Sequence, residues 1–263
     1  MFYNNIHILV YVLVAILGFA EGKLVAWCNE RFPEEKKIFS FEFFKSNKEG
    51  FKYNYVYMIL MAVINIAILY FFGFDKENFF KNLDLFKFMI LAPMLVMSFC
   101  IDFKHRILPN RLNLTMFEVG LVFTFIAGIN DINTAKDYLL GSVVGVGIFG
   151  IITLLGGLIA GKEAMGMGDV KFMGAIGLFF GMTKTAEISL LAFAIGAVLS
   201  IIILIYRAIK KEEDKYIPFG PFLVLASFVC MFVPVGSIFM AFFGFCKMLS
   251  NGILGLIYKE SVS

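Results

Sequence analysis

Eight long apolar runs restrict what this chain can fold into more than any other feature. A hydrocarbon core about 30 Å thick requires about 20 helical residues, and continuous rather than alternating runs exclude a membrane-spanning barrel. Only 16% of the 263 residues are charged, against about 25% in soluble domains. We therefore predict an all-α polytopic membrane protein with about eight transmembrane helices, or nine if Pro234 divides the last run. The runs are 6–27, 54–73, 88–101, 114–129, 138–160, 170–181, 187–206 and 218–246.

Two of these runs, 88–101 and 170–181, are shorter than a membrane crossing. We expect them to recruit flanking residues, to lie deep in protein or to break near the membrane surface. The first run has neither a basic leader nor a small-residue cleavage site, which predicts a retained helix.

Lysine and arginine are distributed unevenly between the connecting segments. Alternate segments form a richer set with fifteen of these residues and a poorer set with five. Because loops rich in Lys and Arg remain in the cytoplasm, this bias predicts a cytoplasmic location for the richer set and an N-terminus outside. The richer set is 28–53, 102–113, 161–171 and 207–215, and the poorer set is 74–87, 130–137 and 182–186.

The chain offers no set of residues typical of a metal site. Its four cysteines and two histidines lie far apart, and no C-x-x-C pair occurs. We interpret the cysteines as small apolar residues that pack inside the protein. We therefore expect no metal.

Four acidic residues lie within or beside the apolar runs, where charge is costly and usually functional. Glu21 and Glu118 could reach the membrane surface or pair with a neighbouring Lys or Arg. Asp102 directly follows the third run, and Pro109 predicts a chain break just beyond it. Taken alone, Asp102 could be no more than a charge at a helix end.

Asp169 follows two glycines, Gly166 and Gly168, just before a short run. The glycines allow unusual backbone conformations and close approach of another segment. Asp102 and Asp169 would then lie at the same membrane face, each where a span meets a loop. Two adjacent carboxylates that share a proton can activate water and polarise a carbonyl group, which is the chemistry of aspartic peptide hydrolysis.

The same residues resemble a known family. Gly166-x-Gly168-Asp169-x-Lys171, preceded by Glu163, resembles the G-x-G-D motif of type IV prepilin peptidases, which are membrane aspartic proteases. The Asp102 segment with Leu108-Pro109-Asn110 resembles the first catalytic aspartate region of that family. Pro218-Phe219-Gly220-Pro221-Phe222 resembles the opening of the last span in bacterial members. The resemblance covers about 85–245 and depends on all three elements in order.

The resemblance implies that Asp102 and Asp169 are the catalytic pair and that Gly166 and Gly168 shape the aspartate loop. Glu163, Lys171, Pro109 and Asn110 match the surrounding motif. The family removes the basic leader from prepilins and pseudopilins at the cytoplasmic face of the bacterial plasma membrane. The implied partners are these substrates and the lipid bilayer, with no nucleic acid.

The N-terminal quarter resembles the family less. Residues 22–33 are similar to its methyltransferase signature mainly at Gly22, Leu24, Arg31 and Pro33, and its C-x-x-C motifs are absent. If methylation of the new N-terminus is retained, S-adenosylmethionine is the implied cofactor. We divide the chain into an N-terminal membrane region, 1–85, with a cytoplasmic loop 28–53, and a peptidase domain, 86–263. Loop 28–53 could instead be an amphipathic patch on the membrane surface.

Three alternatives remain at this stage. A transporter or channel would line an ion path with its acids, but transporters favour acids near the bilayer midplane in repeated halves. Presenilin-like proteases carry a tyrosine before their first aspartate, where this chain has Ile101. A purely structural assembly protein would leave the three ordered motifs unexplained.

Overall fold

The fold is a bundle of membrane-length helices. The computed structural model describes residues 2–3, 6–32, 51–160, 165–210 and 218–261. Eight α-helices are found there, together with a 3-10 turn at Phe79–Asn82 and a short antiparallel pairing of Phe2–Tyr3 with Ile6–His7. The helices are α1 (Ile8–Arg31), α2 (Phe51–Phe72), α3 (Leu83–His105), α4 (Asn110–Asn130), α5 (Ile132–Ala160), α6 (Met167–Lys210), α7 (Gly220–Phe232) and α8 (Ser237–Ser261).

Helix α3 lies at the centre of the bundle. It contacts α1, α2, α4 and α7, and it is the most buried of the candidate spans. The predicted short run 88–101 does recruit flanking residues, because the helix continues from Leu83 to His105. Helix α6 packs mainly against α5, α4 and α7. Together α3 and α6 bring distant parts of the sequence to one end of the bundle.

Helices α1 and α2 form a close pair. Gly18 and Gly22 of α1 lie against the backbone of Met61 and Met58 in α2, so that an added Cβ at either glycine would overlap it. Small residues four positions apart on a helix allow the backbones of two membrane helices to come close, and the packing between them then drives their association. The amide of Asn65 in α2 also donates to the Glu21 carboxylate at 2.7 Å. The partner of Glu21 in the α1–α2 pair is therefore an asparagine and not the expected Lys or Arg. Glu118, the other acid considered in this way, is exposed on α4.

Helix α6 is two arms joined at Gly181, which has φ 78° and ψ 176°. Gly145 of α5 lies against both Met173 and Thr185 of α6. A straight helix would separate those two residues by about 18 Å, so the chain must turn back at Gly181. The predicted connection between the runs 170–181 and 187–206 is found as this turn at Gly181, whereas residues 182–186 are themselves helical. The Asp137 carboxylate accepts from the N–H of Met182 at 3.1 Å and caps the second arm, so one glycine completes the turn.

Six helices in the described part of the chain are long and apolar enough to cross a membrane, and the number rises to seven if α7 with α8, bent by 107°, counts as one span. The turn at Gly181 further divides α6 into two arms. The predicted eight is thus an approximate count. Pro234 lies at the break between α7 and α8. The all-α polytopic fold class is confirmed within the described residues.

Gly181 offers a test of the turn. Its conformation costs on the order of 1–3 kcal/mol for other residues, and an added Cβ would overlap the Asp137 carboxylate. We expect Gly181→Ala to lower the unfolding temperature of the purified protein in detergent. Gly157→Ala, where an added Cβ meets open space in α5, should match wild type or exceed it. Equal unfolding temperatures for the two variants would contradict the turn.

Candidate active site

Asp102 lies in the last turn of α3, where it is only 5% exposed. The helix ends because Arg106 adopts a left-handed conformation with φ 59°, which is uncommon outside glycine. The Arg106 N–H donates to the backbone carbonyl of Asp102 at 2.8 Å. Pro109 then precedes α4 in an extended conformation. The predicted chain break after Asp102 is confirmed.

Asp169 lies in the first turn of α6 and is half-buried. Its N–H donates to the carbonyl of Gly166 at 3.0 Å, which ties the helix start to the preceding glycine. Neither Gly166 nor Gly168 has a positive φ. Of the two properties that the sequence attributes to these glycines, the unusual backbone conformation is not used at either position. What Gly168 provides is space.

The space at Gly168 lets the two motif segments touch. An added Cβ there would lie 3.1 Å from the Leu108 Cβ, in the connection between α3 and α4. The buried Asn113 side chain donates to the carbonyl of Gly168 at 3.0 Å. At the surface, the Lys171 ammonium donates to the Asn110 amide oxygen at 2.9 Å. Predicted motif residues are thus brought together across two parts of the chain.

The two aspartates line one cavity of about 450 Å³. They are close enough for the Asp102 charge to act on the Asp169 carboxyl group. Other walls come from Phe32 at the end of α1, the segment 106–111, Lys171 and Phe219 before α7. Four separate stretches of sequence therefore meet around the carboxylates.

The start of α7 contacts Asp102 directly. The Gly220 N–H hydrogen-bonds the Asp102 carboxylate. Within the described residues, the Oδ2 atom of Asp102 is buried with no partner. The carboxylate is therefore held against the start of α7, with Oδ2 next to Gly220.

Of the predicted site residues, Asp102, Asp169, Gly166, Gly168, Lys171, Pro109 and Asn110 all line this cavity. Glu163 lies outside the described residues. The contributors that were not predicted include Phe32, Asn113 and Gly220. The P-F-G-P-F motif was a signal for Gly220, although it gave the glycine no role. Asn113 had only a weak signal, because it is the last residue of the segment 102–113, directly before the fourth apolar run.

No group of three or more His, Cys, Asp or Glu side chains suited to a metal ion occurs in the described part of the chain. The absence of a metal stays a prediction. Two carboxylates around a cavity can activate a water and polarise a carbonyl without one.

Fold and site together define a membrane protein with a paired-aspartate centre at one end of its helices. The model of the type IV leader peptidase family matches residues 89–201. Leader peptidase HopD of Escherichia coli is 36% identical over 145 residues, which cover 54% of this chain and 90% of HopD. The chain belongs to the type IV leader peptidase family.

Two longer relatives carry a second activity in their names. The prepilin leader peptidase/N-methyltransferase of Xanthomonas campestris pv. campestris is 32% identical over 174 residues, covering 66% of this chain and 56% of that protein. That of Stutzerimonas stutzeri is 36% identical over 138 residues, covering 52% and 46%. The chain thus spans about half the length of these relatives. No solved structure matches it significantly.

The two motif glycines should differ in their tolerance of a side chain. A Cβ at Gly168 would press on Leu108, whereas one at Gly166 would lie 3.8 Å from the nearest Asp169 oxygen, an ordinary contact. We expect Gly168→Ala to cost about 1–3 kcal/mol of unfolding free energy through overpacking. Gly166→Ala should change it by about 0.5 kcal/mol or less. Thermal unfolding in one detergent measures both, and a larger loss for Gly166→Ala would contradict the docking.

Proposed function

We propose that this chain is a membrane aspartic endopeptidase that removes the basic leader peptide from type IV prepilins or pseudopilins. The observation that carries the proposal is the single cavity lined by Asp102 and Asp169. Family membership and the names of the relatives support it. The transporter alternative lacks such support, because both acids lie at one end of the bundle rather than along a path through it.

In this mechanism the two carboxylates share one proton. The ionised carboxylate takes a proton from a water molecule, whose oxygen attacks the carbonyl carbon of the scissile peptide. The protonated carboxyl group donates to the carbonyl oxygen and stabilises the charge that develops there. Proton transfer to the leaving nitrogen then breaks the carbon–nitrogen bond and leaves one proton on the pair again.

The substrate would be a single apolar helix that lies in the bilayer with its basic leader in the cytoplasm. The cavity wall carries Arg106, Arg111 and Lys171, which are poorly suited to attract a basic leader. Recognition would then depend on the substrate backbone and on the shape of the cavity. A helical peptide bond is protected by its hydrogen bonds, so the scissile segment must be extended when it reaches the aspartates.

We place the site at the cytoplasmic face of the bacterial plasma membrane, with the N-terminus outside. The connections around the cavity belong to the set that is rich in Lys and Arg, which supports this orientation.

Residues 86–263 would form the peptidase domain, and residues 1–85 a membrane region with a diverged methyltransferase-like segment. The described signature residues do not converge on a common cofactor site. Gly22 packs against Met58, Leu24 is exposed, and Arg31 stacks on Trp27 with its guanidinium carbon 3.8 Å from the ring centre. Pro33 and residues 34–50 lie outside the described residues. The support for methylation with S-adenosylmethionine is therefore the names of the relatives.

Leader cleavage tests the central proposal. Each variant would be co-expressed with a type IV prepilin at matched membrane abundance, and leader removal would be scored by gel shift. We expect Asp102→Asn and Asp169→Asn each to abolish cleavage, because each removes one half of the acid–base pair. Glu118→Gln, an exposed acid of α4 outside the cavity, should cleave like wild type. Cleavage by both aspartate variants would overturn the proposal.

Mass spectrometry of the same wild-type product tests the second activity. Methylation adds the mass of one methylene group to the new N-terminal residue, and an unmodified terminus would remove methylation from the proposal without affecting the peptidase.

Orientation has its own test. Lys76 lies between α2 and α3, and His105 at the opposite end of α3; both are exposed. After replacement of the native cysteines by serine, we expect an impermeant maleimide to label Lys76→Cys in intact cells. His105→Cys should be labelled only after the membrane is opened. The reverse pattern would invert the proposed topology.

A further inference from the structure

The start of α7 touches Asp102, which is almost fully buried. We propose that Gly220 is a positioning residue, which holds the Asp102 carboxylate in place through its N–H and through the absence of a side chain. This inference rests on the proposed peptidase function and assigns a role within the same site.

The first support is the fit between Gly220 and Asp102. The Gly220 N–H donates to the carboxylate. A Cβ added to Gly220 would lie 2.5 Å from Oδ2 and 2.9 Å from the carboxyl carbon. Atoms do not approach this closely without moving, so any larger residue would displace the carboxyl group. The glycine therefore supplies both a donor and the space that the acid occupies.

The second support is the direction of α7. The first N–H groups of a helix have no partner within it, and they carry the positive end of the helix dipole. Helix α7 begins at Gly220, with Pro221 in its first turn, where the fixed φ of proline fits the helix. A carboxylate placed there meets a ready donor, and negative charge on Asp102 is favoured by the helix end.

The third support is the anchoring of this helix start by aromatic rings. The Phe219 ring centre lies 5.4 Å from that of Phe193 and 6.2 Å from that of Phe149. Phe149 is fully buried in α5, and Phe193 belongs to the second arm of α6. Because Gly220 follows directly in the chain, this aromatic cluster fixes where its N–H points.

The arrangement predicts an effect on turnover rather than on substrate binding. Gly220 acts through Asp102, one of the two proposed catalytic carboxylates, and misplacement of a catalytic group by about 1 Å can cost about a hundredfold in rate. Purified Gly220→Ala, with a full-length type IV prepilin as the probe, should show a kcat lowered by about that factor. Its KM should remain close to that of wild type.

Two further variants complete the experiment. Gly147→Ala, an α5 glycine where an added Cβ meets open space, should retain wild-type kcat and KM. Phe193 does not line the cavity, so Phe193→Leu should lower kcat several-fold through the loosened aromatic cluster, again without a rise in KM. If Gly220→Ala fails to fold, Phe193→Leu decides the outcome.

Each result has a distinct meaning. The positioning role is overturned if folded Gly220→Ala has the wild-type kcat, or if its loss of activity is a rise in KM by the same factor. Either result leaves the proposed peptidase function intact. If Gly220→Ala is not folded, wild-type kcat in Phe193→Leu would overturn the positioning role instead. If the wild-type protein does not cleave prepilin, or if Asp102→Asn still does, the proposed function fails and this inference fails with it.

Discussion

Backbone groups that leave a helix inside a bilayer must find partners within the protein, because hydrocarbon supplies none. This constraint explains why the irregular segments of the site gather in one place. The connection between α3 and α4, the glycines before α6 and the start of α7 all surround the same cavity. Asn113 satisfies the Gly168 carbonyl, and the Asp102 carboxylate takes the Gly220 N–H. The polar site therefore coincides with the irregular backbone at this end of the bundle.

Burial at this position has a chemical benefit. Asp102 lies at the end of a helix that is mostly covered by other helices, yet it lines a cavity large enough for several water molecules. Electrostatic interactions are stronger where bulk water is excluded. Two carboxylates in such a place interact more strongly than they would at a protein surface, and this interaction favours one shared proton over two separate charges.

Local sequence signals were sufficient for the spans and for the two aspartates. Apolar runs report directly on membrane crossing, and an aspartate at the end of such a run is conspicuous. The turn at Gly181 is tighter than the predicted connection 182–186, which begins one residue later, because its cap, Asp137, comes from another helix. The roles of Asn113 and Gly220 were missed for the same reason, since each depends on a partner distant in sequence. Phe32 could not be predicted to line the cavity, because nothing in the N-terminal sequence indicates where α1 ends relative to α3.

The turn at Gly181 also sets the length of the helix that carries Asp169. From Met167 to Phe180 the first arm of α6 rises only about 21 Å, at about 1.5 Å per residue, whereas the hydrocarbon layer is about 30 Å thick. Residues 172–180 of this arm are all buried within the protein. Neighbouring helices rather than lipid therefore surround the short arm, and the bilayer need not thin to match its length. The depth of the Asp169 carboxylate is set by the length of this enclosed arm rather than by the thickness of the hydrocarbon layer.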